Sequence, residues 1–150
     1  MIQIKKYGLA LVKESNKLYD FEGKNCCTPD EALNILNEIF NFETQAEEIA
    51  VIICMDTKNN IIGAFEISRG SLNSSIIHPR EVLKRALICN SANYILAHNH
   101  PSGDTTPSKE DISLTMRLNE ASKIIGIEML DHLVIGSNKS YTSMKKQGFI

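Results

Sequence analysis

The stretch Tyr94-Ile95-Leu96-Ala97-His98-Asn99-His100-Pro101-Ser102-Gly103-Asp104-Thr105-Thr106-Pro107-Ser108-Lys109-Glu110-Asp111 decides the reading of this chain. It opens as a short buried strand over 94–97, turns through a loop over 99–107, and enters a helix at about Ser108. Leu114, Leu118, Ala121 and Ile125 form a helical stripe, and Gly126 is placed to end the helix. A further strand is expected over 130–135, then a turn at Gly136-Ser137-Asn138-Lys139 and a last short strand over 140–144.

Upstream, Ile49-Ala50-Val51-Ile52-Ile53-Cys54-Met55 is an unbroken apolar run rich in β-branched residues, as expected of a strand covered on both faces. Asp56-Thr57-Lys58-Asn59-Asn60 has turn chemistry, and Ile61 to Ile67 is the returning strand of a hairpin. The segment Ser68 to Ile77 is mostly polar. Thr28-Pro29-Asp30-Glu31 reads as a helix start, and Ala32, Leu33, Ile35, Leu36, Ile39 and Phe40 share one face behind it. His78-Pro79-Arg80-Glu81 opens another helix, with Val82, Leu83, Ala86 and Leu87 on its apolar side. Residues 2–12 carry a β-rich pattern that 17–22 could pair with as a hairpin. The fold class is α/β: a single domain with a mixed β-sheet flanked by helices. Residues 1–28 form a β-rich extension and 29–150 the domain.

The chain has 150 residues, 43% hydrophobic and 23% charged, which suits one domain with a real core and excludes intrinsic disorder. The formal net charge of −2 gives no whole-chain basic field for nucleic acid. The longest apolar run, 49–55, is far short of the roughly 20 residues of a membrane span. The first residues do not read as a signal peptide. No C-x-x-C pair occurs among Cys26, Cys27, Cys54 and Cys89. They are read as reduced thiols, Cys54 and Cys89 in the core, and the expected compartment is cytoplasmic.

Two of the four histidines, His98 and His100, lie two residues apart at the end of a buried strand. Period two puts both imidazoles on one side of the sheet. Two neutral imidazoles suit Zn²⁺, and the loop behind them is long enough to bring Asp111 back to complete a set of metal ligands. Two His and one Asp leave a fourth position for water, the pattern of a catalytic zinc. Ser108 has two readings. It is an N-cap, with Asp111 at the third position of a capping box, or a hydroxyl that donates to an oxyanion. The cap alone also accounts for both residues. His132 reads either as a group behind the metal ligands or as a core histidine bonded within the sheet. His78 is read as a turn residue, Arg80 as either a substrate contact or a partner of Glu81 or a neighbouring carboxylate, and Lys145-Lys146 as a solvated face. Asn99 and Ser102 either line the site or bond the loop backbone.

The order H-x-H, seven residues, Ser, two residues, Asp resembles the JAMM (MPN/JAB) motif. The form His98-Asn99-His100-Pro101-Ser102-Gly103 is similar to its RadC-like branch. Ser68-Arg69-Gly70-Ser71-Leu72-Asn73, His78-Pro79-Arg80-Glu81, Asp131-His132-Leu133-Val134-Ile135-Gly136 and Tyr141-Thr142-Ser143 agree with it, so the resemblance covers about residues 29–149. It implies the JAB/MPN, cytidine-deaminase-like architecture and a zinc held by His98, His100 and Asp111. It also implies an upstream glutamate as general acid/base. In RadC-like chains a Glu opens the buried strand that ends in an apolar-Asp pair. Here that strand ends at Met55-Asp56 and opens at Glu48, with Glu66 on the next strand as second candidate. Glu47 would point to the other face.

The function implied is hydrolysis of an amide or isopeptide bond by a zinc-activated water, with a protein or peptide substrate. Two alternatives stand beside it: a DNA-repair-associated factor acting on or near nucleic acid, and a metal-binding interaction module without turnover. The net charge gives DNA binding no support. Residues 1–28 lack the Gly-hairpin pattern of the helix-hairpin-helix segment that many RadC-like chains carry.

Overall fold

The computed structural model describes residues 4–15, 25–70 and 77–150. Helix α1 (Pro29–Phe40) begins where the sequence places its cap. Thr28 accepts from the Glu31 N–H, and the Glu31 carboxylate accepts from the N–H groups of Cys27 and Thr28. A single 3₁₀ turn, Phe42–Thr44, leads into β1 (Glu48–Met55), and β2 follows (Ile61–Gly70). Then come α2 (Pro79–Ile88), β3 (Asn93–Asn99), α3 (Lys109–Ile125), β4 (Glu128–Ile135) and β5 (Tyr141–Ser143). The strands lie in one sheet, ordered β2-β1-β3-β4-β5. β3 and β4 are parallel, joined through α3, and the remaining pairs are antiparallel, so the sheet is mixed.

Strand alternation divides the core in two. Ile49, Val51, Ile53 and Met55 meet Leu33, Leu36 and Phe42 on the α1 side. Ala50, Ile52 and Cys54, with Tyr94 and Leu96 of β3, meet Val82, Leu83 and Ala86 of α2 and Leu118 of α3. Every residue of β1 after Glu48 is buried, as its apolar run demands. Gly126 adopts φ +81° and closes α3 in the left-handed conformation that favours glycine.

Several boundaries differ from expectation. β2 runs on through the polar Ser68-Arg69-Gly70, because β1 still offers it ladder partners out to Glu48. β3 includes His98 and Asn99, because β4 runs beside it to Ile135. The β-rich pattern of 2–12 does not become a strand among the described residues 4–15. They carry no secondary structure and are exposed, since β propensity without a partner ladder has nothing to pair with. The proposed partner, 17–22, lies outside the described residues, as does 71–76. Asn25 bridges Asn60, and Cys26 is buried in the α1-side core, so the chain joins the domain slightly before Thr28. Cys26 therefore joins Cys54 and Cys89 as a buried thiol, and all four cysteines are free. Among the described residues, no helix is long and apolar enough to cross a membrane.

Candidate metal centre

His98 sits in the last part of β3, opposite Ala50 of β1 and beside Val134 of β4. Its side chain continues the Tyr94 and Leu96 row toward α3 and is fully buried. His100 follows just past the strand, where its N–H donates to the Ile135 carbonyl (2.8 Å) and its carbonyl accepts from Gly103 N–H (2.9 Å). Gly103 has φ +84°, and a Cβ there would lie 2.7 Å from Ser137 Oγ. Gly136 faces the Gly103 carbonyl so closely that no side chain fits. The two turns therefore lock together and fix the loop that leaves His100.

That loop delivers Asp111 to the histidines. Ser108 caps α3: its Oγ accepts from Asp111 N–H (3.1 Å), and its N–H donates to Asp111 Oδ2 (2.8 Å). The carboxylate is thus anchored from behind, with Oδ1 at 3.3 Å from His98 Nε2 and Oδ2 at 3.5 Å from His100 Nε2. The two Nε2 atoms are 3.1 Å apart. One ligand atom from each residue falls within 4.8 Å of the others.

These three residues fit a metal ion. A four-coordinate zinc with bonds of about 2.0–2.2 Å separates its ligand atoms by roughly 3.3–3.5 Å. His100 Nδ1 lies 2.7 Å from the Asp104 carbonyl, which can only accept, so Nδ1 carries the proton and Nε2 presents a lone pair inward. Asp111 raises the pKa of His100 above the ordinary histidine range, against the opposing effect of burial. Burial pushes the Asp111 carboxyl upward, but the two imidazoles outweigh it and hold the group far below the usual carboxylate range. A neighbouring carboxylate and two converging imidazoles make a pocket whose electrostatics call for a cation.

Glu48 opens β1 and is half-buried. By alternation it shares the sheet face of Ala50, and hence of its partner His98. Its charge reaches His100 and helps to raise that pKa. Among the described residues no hydrogen bond or ion pair holds its carboxylate. The other two glutamates are engaged elsewhere. Arg69 donates to both Glu66 oxygens, at 2.9 and 2.8 Å, and lies 3.8 Å from Glu47. Asn99 does not line the centre: its Oδ1 accepts from Ile49 N–H (2.7 Å) and its Nδ2 donates to the Glu47 carbonyl (3.1 Å). It ties the backbone on both sides of Glu48 to the strand end that carries both histidines.

His132 packs directly behind His98, Nε2 to Nδ1 at 2.8 Å, and burial holds its pKa well below the ordinary value. Thr115, which sequence reading missed, completes the row at 2.7 Å from His132 Nδ1. Its signal was the i+4 spacing from Asp111, which puts both on one face of α3. Asp131 is structural. Its buried carboxylate accepts from Ser143 Oγ and from the N–H groups of His132 and Lys145. Ser102 bonds its own loop, at 3.4 Å from Asp104 N. His78 precedes α2 without a side-chain cap, and Arg80 is an exposed partner of Glu81.

Fold and site together define an α/β domain with a His-His-Asp cluster that fits a metal ion where the end of β3 meets the start of α3. The sequence model of one family, described as RadC-like JAB domain, matches residues 26–149. The chain belongs to that family. It is 49% identical over 123 residues to a UPF0758 protein of Bacillus subtilis, covering 82% of this chain and 52% of that one. It is 52% identical over 104 residues to a UPF0758 protein of Clostridium botulinum, covering 69% and 45%. A UPF0758 protein of Methanosarcina barkeri is 43% identical over 127 residues, covering 85% and 54%. The chain spans about half the length of the curated relatives it matches.

Proposed function

We propose that this chain is a zinc-dependent hydrolase that cleaves an amide or isopeptide bond in a protein or peptide. The observation that carries the reading is the convergence of His98 Nε2, His100 Nε2 and the Asp111 carboxylate on one point beside Glu48. A zinc held there would supply Lewis acidity and a water acidic enough to lose a proton near neutral pH.

The remaining work falls to the chain's own side chains. Glu48, on the site face and without an ion pair among the described residues, takes a proton from the attacking water and hands it to the departing nitrogen. The water oxygen bonds to the carbonyl carbon, the C=O electron pair moves onto the carbonyl oxygen, and the carbon–nitrogen bond breaks when that oxyanion collapses and the nitrogen takes the proton. Ser108 Oγ accepts in capping α3, and its O–H turns to donate to the oxyanion. Asp111, anchored from behind by the Ser108 N–H, would be the third residue to hold the metal.

The test is elemental analysis of wild type and His100→Ala, followed by hydrolysis of peptide and isopeptide substrates with Glu48→Gln as control. Stoichiometric zinc lost in His100→Ala, and turnover lost in Glu48→Gln with zinc retained, support the reading. A wild type that stays empty after zinc addition overturns it.

A further inference from the structure

Behind the ligands runs a row of buried hydrogen bonds whose directions can be read off. Thr115 Oγ1 lies 2.7 Å from the Asp111 carbonyl, His132 Nδ1 lies 2.7 Å from Thr115 Oγ1, and His98 Nδ1 lies 2.8 Å from His132 Nε2. A carbonyl only accepts, so the one hydroxyl proton of Thr115 goes to Asp111. Thr115 therefore accepts from His132, whose Nδ1 carries the proton. A neutral imidazole carries one N–H, and His132, fully buried, spends it on Thr115. Its Nε2 is then a bare acceptor, and His98 must donate from Nδ1. That leaves the His98 Nε2 lone pair facing Asp111 and His100.

We propose that His132 and Thr115 are positioning residues that set His98 in its metal-binding tautomer and couple it, through one closed row of hydrogen bonds, to the main chain of Asp111. The proposal rests on the metal-site reading only for its consequence in zinc affinity. The hydrogen-bond directions stand without it. His98, Thr115 and His132 are each 0% exposed, so no water substitutes for a lost member of the row. Two ligands that are distant in sequence thereby become one unit, and a change at Thr115, which touches no metal, reaches both.

The experiment measures zinc affinity by competition with a chromophoric chelator for wild type, Thr115→Val and Thr115→Ser. Leu118→Ala, a core change on the same helix, serves as control. Thr115→Val keeps the shape but removes the acceptor for His132, and should weaken zinc binding by about 10–100-fold. Thr115→Ser should restore it. Leu118→Ala should lower the melting temperature and leave affinity unchanged. Wild-type affinity in Thr115→Val overturns the proposal, as does an equal loss in Leu118→Ala. Imidazole ¹⁵N shifts of the zinc-free wild type read the same row without any variant. A proton on Nδ1 of both His98 and His132 supports the proposal, and its absence from either overturns it. A wild type that binds no zinc sinks the metal reading, and the ¹⁵N result still decides the row.

Discussion

Asn99→Ala tests how the start of β1 is held against the histidine strand. The wild-type side chain is 3% exposed and bonds Ile49 N–H at 2.7 Å and the Glu47 carbonyl at 3.1 Å. Truncation orphans both groups. The Ile49 N–H is buried, and an unsatisfied buried donor costs about 1–3 kcal/mol. The Glu47 carbonyl is at the edge, where water replaces most of what it loses. The sum is about 2 kcal/mol. A domain of this size shifts by roughly 2–4 °C per kcal/mol, so the melting temperature should fall by about 4–8 °C. Circular dichroism against temperature measures it. The loosened segment is the one that carries Glu48, whereas His98, His100 and Asp111 keep their own anchors. Zinc content should therefore survive while hydrolysis falls. Asn99→Asp keeps the acceptor for Ile49 N–H but sets a carboxylate against the Glu47 carbonyl, so it should also destabilise. A shift below about 1 °C in Asn99→Ala would show that the clamp holds nothing, and the reasoning would fail with it.

Saturating wild type with zinc at about 100 times its dissociation constant should add about 2.7 kcal/mol, or roughly 5–10 °C, and His100→Ala should show no such rise. The pH dependence has a defined sign. In zinc-free protein the raised His100 pKa adds stability that is complete below the unfolded value of about 6.5 and fades as pH climbs through the folded one. Zinc needs that proton gone, so the zinc-induced rise in melting temperature should grow across the same window. A rise that shrinks with pH contradicts it. Gly136→Ala drives a methyl into the Gly103 carbonyl and to 2.7 Å from Thr105 Cγ2, and should cost about 1–3 kcal/mol and lower zinc occupancy. Thermal melts with metal analysis check both. Glu66→Gln should leave hydrolysis intact where Glu48→Gln removes it. Equal loss in both would move the general base to Glu66.

Much of this fold was legible because its signals are local. The β1 run, the Thr28 and Ser108 caps and Gly126 each act within a few residues, and each appears where the sequence puts it. The convergence of His98 and His100 needed only the strand period, and Asp111 only a loop of sufficient reach. The misreadings are all cases in which a distant partner decides. Polar Ser68 to Gly70 become strand because β1 pairs with them, whereas apolar residues between 4 and 12 do not, among the described residues, because nothing does. The 3₁₀ turn at Phe42–Thr44 carries no strong periodic signal of its own.

The choice between Glu48 and Glu66 shows the same limit at the site. Read as an even strand, β2 would put Glu66 and Ser68 on one face. The register slips instead: Ser68 pairs with Ala50 but Glu66 pairs with Val51, and Ile67 is the extra residue of a bulge. The slip brings Glu66 and Arg69 to the same face, the one that carries Ile49 and Val51, where they form their ion pair. It also turns Glu66 away from His98 and leaves Glu48 as the carboxylate on the histidine side. No pattern within β2 announces the bulge. It exists in the pairing with β1, so the face a charged residue takes is a property of two strands. The row from His98 to Thr115 has the same character, since it draws one member each from β3, β4 and α3. The candidate ligands follow from local spacing, while their aim follows from contacts between elements.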